Sequence, residues 1–158
     1  MHMGSTILGM SMPGGGGGGG EANIEDFQGL NADHTINNST TLETALTWPV
    51  SASTNYALIG FGYVSSAAAA DFKYTVAGPS GATVRFIGQD IIGSTTNGGS
   101  TRTFATSSTG VYTAFTFMAL CAISTTAGNV TLQWAQNTAD LSDSNLRKGT
   151  CGFLYSMA

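Results

Sequence analysis

The chain has 158 residues, of which only 9% are charged, with five basic against nine acidic side chains and a net charge of −4. That length suits one domain with a core of its own. The five bases, Lys73, Arg85, Arg102, Arg147 and Lys148, form no basic stripe, which argues against sequence-independent nucleic-acid binding. No apolar run reaches the ~18 residues of a membrane span, and the first residues lack the charged start and continuous apolar stretch of a secretory signal. Ser and Thr number 38 and supply most of the polar surface, a composition that favours strands and turns.

Residues 1–40 differ from the rest. A compact apolar peptide, Ile7, Leu8, Met10 and Met12, precedes Pro13 and seven consecutive glycines, Gly14 to Gly20. Ordering glycine costs more backbone entropy than ordering any other residue, within a general ~1–2 kcal/mol per residue. An ordered heptaglycine must therefore lie against something outside itself, either a partner surface or two further arms in a three-fold bundle. A flexible leader is the other reading. No Lys-Ser/Thr follows the glycines, so a phosphate-binding loop is excluded. Residues 21–38 read as a polar linker that Ile24, Phe27, Leu30 and Ile36 could pin to a neighbour. Within it, Asp33-His34 reads as a loop hydrogen bond.

From Thr40 the β pattern begins. Leu42, Leu46 and Trp48 share one face of a strand that ends at Pro49. In the segment from Tyr56 to Val64, Ala57, Ile59, Phe61 and Tyr63 form a bulky face. Gly60 and Gly62 thin the other, which permits close backbone or aromatic packing. The alanines of 65–70 suit a single helical turn. Phe72, Tyr74 and Val76 alternate with polar residues, the mark of a one-sided strand. Gly78-Pro-Ser-Gly81 turns the chain, and Val84 and Phe86 flank Arg85 in the next strand. Residues 88–99 read as an excursion with an apolar centre at Ile91-Ile92. A short strand around Thr103 and a turn near Gly110 follow.

The longest apolar stretch runs from Val111 to Ile123. Phe115 and Phe117 lie on one face, Tyr112, Met118 and Leu120 on the other. A strand apolar on both faces is covered on both faces, so this segment predicts a core on one side and, on the other, a subunit partner or a loop folded over an edge strand; the few charges available to solvate that face favour the partner. Tyr112, Phe115, Phe117 and Met118 are its candidate trimer-interface residues. Cys121 lies in this stretch and Cys151 in the last one. A disulfide would suit an exported protein and buried free thiols one assembled in the cytoplasm; two cysteines are few for a stapled secreted scaffold, so unpaired buried thiols are the expectation.

In Gly128-Asn-Val-Thr-Leu-Gln-Trp-Ala-Gln-Asn-Thr138, Val130, Leu132 and Trp134 share one face, the period of a half-buried strand. A polar loop follows, and Cys151, Phe153 and Tyr155 alternate again at the end. Trp48, Phe72, Leu132, Trp134 and Phe153 are the predicted core. Eight or nine strands without a helix of normal length point to an all-β antiparallel sandwich.

The ending Leu132-Gln-Trp-Ala-Gln-Asn137, a Ser/Asp-rich loop and a last strand resembles that of small structural proteins of tailed bacteriophages and prophages. The resemblance extends upstream to about Tyr56, through Ala70-Asp-Phe-Lys73 and Gly78-Pro-Ser-Gly-Ala82. It implies a trimeric jelly roll like that of tumour necrosis factor, here over residues 41–158, with residues 1–40 as an extended arm. It also implies a virion protein assembled in the bacterial cytoplasm: a capsid decoration, cement or head-fibre protein. Its partners would be its own copies and the major capsid protein or another virion protein. Residues 1–40 have no counterpart in the recognised part. The anchoring role of Ile7, Leu8, Met10, Met12 and the run Gly14 to Gly20 therefore rests on their own chemistry. A fibre tip or adhesin reading host-surface glycans is the alternative, suited by the Ser/Thr/Asn-rich loops and aromatics.

Enzyme chemistry finds little support. Both histidines, His2 and His34, lie in the first forty residues, away from the predicted core, which is a poor place for a rigid triad. Asp140 and Asp143 with Asn145 offer oxygen ligands for calcium, but without the twelve-residue loop pattern or a closing Glu. Paired zinc ligands are absent. No enzyme activity, cofactor or metal is expected.

Overall fold

The structure, a computed structural model, describes residues 23–90, 95–97, 101–106 and 108–157. Twelve strands occupy them: β1 (Asn23–Gly29), β2 (His34–Ile36), β3 (Glu43–Val50), β4 (Asn55–Ser65), β5 (Phe72–Ala77), β6 (Thr83–Asp90), β7 (Thr95–Asn97), β8 (Arg102–Phe104), β9 (Thr113–Ala122), β10 (Gly128–Gln136), β11 (Ser144–Leu146) and β12 (Cys151–Met157). No helix occurs among the described residues. Two antiparallel sheets form a sandwich. The larger runs β1-β12-β4-β9-β6-β7, with β11 joining β2 to β4; the smaller runs β3-β10-β5-β8.

The core lies between the sheets. β10 places Val130, Leu132 and Trp134 inward, each fully buried, and β5 pairs with it to add Phe72, Tyr74 and Val76. Trp48 arrives from β3 on the other side of β10. From the larger sheet come Leu58 of β4, Phe115 and Phe117 of β9, Phe86 of β6 and Leu154 of β12. The rings pack as a cluster: Phe72 stacks on Trp134 at 5.6 Å and tilts against Phe115 at 5.2 Å. Such offset and tilted contacts add to the area burial of the rings. Two hydrogen bonds tie the layers together, Trp48 Nε1 donating to the Gly152 carbonyl at 3.2 Å and the Tyr74 hydroxyl to the Thr116 carbonyl at 3.1 Å.

β4 shows how sequence sets the thickness of the sandwich. Its inward series is Tyr56, Leu58, Gly60, Gly62 and Val64, and the bulky series Ile59, Phe61 and Tyr63 points out. Gly60 lies opposite Phe117 on β9 and Gly152 on β12. A Cβ at Gly60 would run into the Phe117 ring, and one at Gly152 would come within 2.8 Å of Trp48 Cζ2. The thin glycine face thus admits aromatic packing, as the sequence implies.

Several expectations hold. The turn after Gly78 closes through Ala82 N–H to the Pro79 carbonyl at 3.0 Å. The alanines of 67–70 make one turn, with Ala70 N–H and Asp71 N–H both donating to the Ala67 carbonyl. Three expectations are corrected. The first forty residues are not all arm: β1 pairs along β12 and β2 pairs with β11, so the sandwich already includes Asn23. The excursion after Gly88 is a hairpin in which β6 continues along β9 to Asp90 and β7 returns against β6. Ile91 and Ile92 lie outside the described residues. Pro49 does not end its strand but sits within β3. It is tolerated because β3 is an edge strand and needs no donor on its free side.

Candidate functional site

The outward face of the larger sheet is the feature that the core does not explain. Register aligns its side chains in rows across five strands. One row is Phe27, Phe153, Ile59, Met118 and Ile87, on β1, β12, β4, β9 and β6. The next is Ile24, Tyr155, Ala57, Leu120 and Arg85. Ile24, Phe27, Ile59, Met118 and Leu120 are each about half exposed or more, and Phe61 and Tyr63 extend the patch along β4. Exposed apolar side chains scattered singly need no explanation, but a contiguous apolar sheet face marks an interaction surface.

This face is not flat. A groove of about 660 Å³ runs over β4, β9 and β6, lined by Ala57, Ile59, Ile87, Met118 and Leu120 with Arg85 beside them. Ala57 makes the depression, because its methyl sits between Tyr155 and Leu120 in the row. Arg85 is exposed, and no carboxylate pairs with it among the described residues.

Tyr112 and Met118 are exposed as an interface needs, with Tyr112 lying under the Arg147 guanidinium at 4.7 Å. Phe115 and Phe117 are a correction: they point between the sheets at 2% and 0% exposure and fill the core of a single chain. The strand carries its two apolar sets on opposite faces, so one segment cannot supply both sets to a partner. Trp48, Phe72, Leu132 and Trp134 are core as expected. Phe153 is not. It lies half-buried on the outward face, tilted against Phe27 at 4.9 Å, while Gly152 and Leu154 take the inward positions. The candidate anchoring residues Ile7, Leu8, Met10, Met12, Gly14 and Gly20 lie outside the described residues.

The polar candidates have structural partners. Asp33 and His34 do not act as a pair. Asp33 meets Arg147 at 2.8 Å and accepts from Lys148 N–H, while His34 Nε2 faces Glu43 at 3.4 Å. Asp140 accepts from Ser142 N–H at 2.8 Å and Asp143 from the Asn37 amide at 3.0 Å, so both carboxylates tie loops together. Sequence reasoning missed Gln136. It is fully buried, and its amide nitrogen meets the Asp140 and Ser142 carbonyls and Ser144 Oγ. Its oxygen accepts from Ser39 and Asp140 N–H. Cys121 and Cys151 are free and buried. Cys121 follows the inward series of β9, whereas Cys151 lies opposite the outward Phe61. Burial pushes the Cys121 thiol up to about 11 and raises that of Cys151 as well.

Among the described residues, no helix is long and apolar enough to cross a membrane. Comparisons with protein families, with curated proteins and with solved structures find no match to this chain.

Proposed function

We propose that this chain is a structural protein of a phage particle: a trimeric knob, without enzyme activity, held on the capsid by its N-terminal arm as decoration, cement or head fibre. The observation that carries the reading is the apolar outward face of the larger sheet. In a chain with 9% charged residues, Ile59, Met118, Leu120 and Phe27 stand exposed on one continuous surface. A closed ring of copies would bury it.

The fold reading behind this is a jelly roll of the tumour-necrosis-factor kind. It is supported by the strand orders β1-β12-β4-β9 and β3-β10-β5-β8, to which the β6–β7 hairpin and the β2–β11 pair are additions. The ending Leu132-Gln-Trp-Ala-Gln-Asn137 supports the phage assignment by its resemblance to small virion proteins. The partners are then two further copies and the major capsid protein or another virion protein. Nucleic acid and membrane are not among them, and the place of action is the virion, assembled in the bacterial cytoplasm.

Attachment falls to residues 1–20. Burying one large aliphatic side chain contributes about 1.5–3 kcal/mol before entropy costs, and Ile7, Leu8, Met10 and Met12 offer four per chain. Three arms acting together turn weak single sites into tight attachment where their spacing matches the lattice. Deleting residues 1–20 should leave assembly and melting unchanged and abolish binding to empty particles. Decoration at wild-type occupancy by the truncated protein would overturn the anchoring role.

The second reading, a fibre tip or adhesin that binds host-surface glycans, is favoured by Tyr63 and Tyr112, both half exposed. Glycan-array binding by the truncated knob would favour it over the capsid reading.

A further inference from the structure

We infer that the groove over β4, β9 and β6 binds an amphipathic monocarboxylate of the fatty-acid class, its carboxylate on Arg85 and its tail over Ile59 and Met118. This goes beyond the structural role proposed above and does not depend on it, because one chain supplies the whole site.

The register of the three strands grades this surface from apolar to polar. The first row is Ile59, Met118 and Ile87, the second Ala57, Leu120 and Arg85, the third Asn55, Ala122 and Thr83. The first two rows enclose the groove of about 660 Å³, within the ~300–1,000 Å³ of small-molecule sites. The third row opens a second depression of about 210 Å³, where the small Ala122 leaves room between Asn55 and Thr83. Arg85 and Leu120 line both hollows. The guanidinium therefore stands where the apolar groove adjoins the polar depression.

The head group follows from the donors on offer. Arg85, Asn55 and Thr83 are exposed, and none of their side chains has a hydrogen bond or ion pair among the described residues. The guanidinium is a planar fork of donors that fits a carboxylate, and an amide and a hydroxyl add donors beside it. A single positive charge matches a single carboxylate. A phosphate monoester would bring close to two negative charges, and no second base stands in the three rows.

The tail follows from the groove. From Arg85 to Ala57 it crosses two strand gaps, about 10 Å at the usual spacing, which suits a medium-length acyl chain. Ile59, Met118 and Leu120 are each about half exposed, so methylenes laid among them exchange water for apolar contact. A purely apolar occupant would strip the hydration of Arg85 without replacing it. Residues 1–20 contain no Asp or Glu, so the arm is such an occupant. In a ring of copies that covers this face, the ligand supplies the carboxylate that Arg85 lacks.

The test is isothermal titration of the full chain with decanoate and with 1-decanol, for wild type, Arg85→Gln and Ala57→Phe, with melting and sedimentation followed on the same samples. Both substitutions lie on the sheet surface and should leave melting unchanged. Wild type should take up one decanoate per chain and bind decanol about tenfold more weakly or worse, the loss of one charge-assisted pair. Arg85→Gln should bring decanoate down to the affinity of decanol, and Ala57→Phe, which fills the floor, should weaken both. Uptake that never saturates, equal decanoate affinity in wild type and Arg85→Gln, or wild-type binding by Ala57→Phe would overturn the site. An assembled ring that takes up no decanoate would overturn it while the trimer stands. Saturable, Arg85-dependent binding to a protein that sediments as a single chain would uphold the site and overturn the trimer reading.

Discussion

The indole N–H of Trp134 donates to Nδ1 of His34 at 2.9 Å, and Nε2 of the same imidazole faces Glu43 at 3.4 Å. An indole can only donate, so Nδ1 must be the unprotonated nitrogen and the proton sits on Nε2, toward the carboxylate. Three elements are joined through one ring: β2, β3 and β10. Trp134 is fully buried, so removing its acceptor leaves a donor without a partner. His34→Ala should cost about 1–3 kcal/mol in urea unfolding. His34→Asn, which can place an amide oxygen near the Nδ1 position, should recover part of that loss. Equal losses in both variants would show that ring packing against Trp134, rather than the hydrogen bond, holds β2 in place.

Gly60 makes a sharper demand. Its Cα faces the Phe117 ring, and an added methyl would also come within 2.6 Å of the Cys151 carbonyl oxygen. The core around Phe117 has no slack, since Phe117 itself is fully buried. Gly60→Ala should destabilise by about 1–3 kcal/mol through overpacking. Shortening the ring in Gly60→Ala/Phe117→Leu should lose less than the sum of the two single changes. Additive losses in thermal melts would place the strain on the backbone instead.

β5 and β10 are legible because the apolar series Phe72, Tyr74, Val76 and Val130, Leu132, Trp134 alternates with Lys73, Thr75, Thr131 and Gln133, so period two maps onto inside and outside. β4 and β12 carry apolar residues on both faces, and there the pattern shows alternation without saying which set faces the core. In β4 the glycine set faces inward, because the opposing Phe117 takes the space. In β12 the inward set is Gly152 and Leu154, so Phe153 looked like core and is not. β1 and β2 were hidden for a related reason: Ile24 and Phe27 point outward, and no inward alternation marks their segment. Gln136 had a signal that could be read. It continues the inward series of Val130, Leu132 and Trp134, and a polar residue in an inward phase must find partners. The outward groove was legible only in part. Met118 and Leu120 stood out, but Arg85, Ala57 and Ile87 join them only through long-range strand pairing.

Gln136 organises the loop that follows β10. Its side chain holds Ser39, Asp140, Ser142 and Ser144 at once. Gln136→Leu keeps the side chain's approximate size but strips both ends of these bonds. The expected loss is at least about 2 kcal/mol, because several backbone groups lose their partner together. Amide exchange should speed up first in residues 137–143. An unchanged exchange pattern there would mean that Asn38 N–H to the Asp140 carbonyl, at 2.9 Å, fixes the loop by itself.

The cysteines give a pH prediction with a definite sign. Burial raises the Cys121 thiol from 9.0 to about 11. The folded state thus binds this proton more tightly than the unfolded chain. The associated stability is complete below about pH 9 and is lost as pH rises through about 11. Roughly 2–3 kcal/mol is at stake. Cys121→Ala should flatten the fall in stability over that interval relative to wild type, while lowering it at neutral pH. Without reductant, both thiols should be slow to label in the native protein at pH 8 and quick once it is unfolded. One unreactive pair in unfolded protein would reveal a disulfide.

Ile59 and Met118 face each other across β4 and β9 on the outward sheet face, each 46% exposed. In an isolated chain their replacement by Ser should change stability by no more than about 0.5 kcal/mol each, as for ordinary surface positions. In a ring that buries this face, the same change removes apolar contact at every copy of the interface. Ile59→Ser/Met118→Ser should therefore keep the strand content of wild type and sediment as a single chain of 16.1 kDa at concentrations where wild type is assembled. Phe117→Ser serves as the contrast: on the same strand, one residue away and facing inward, it should unfold the chain rather than dissociate it. A double variant that stays assembled at wild-type affinity would move the interface off this face. The exposed apolar row would then be left for the particle surface to cover, and loss of particle binding by the same variant would identify that contact.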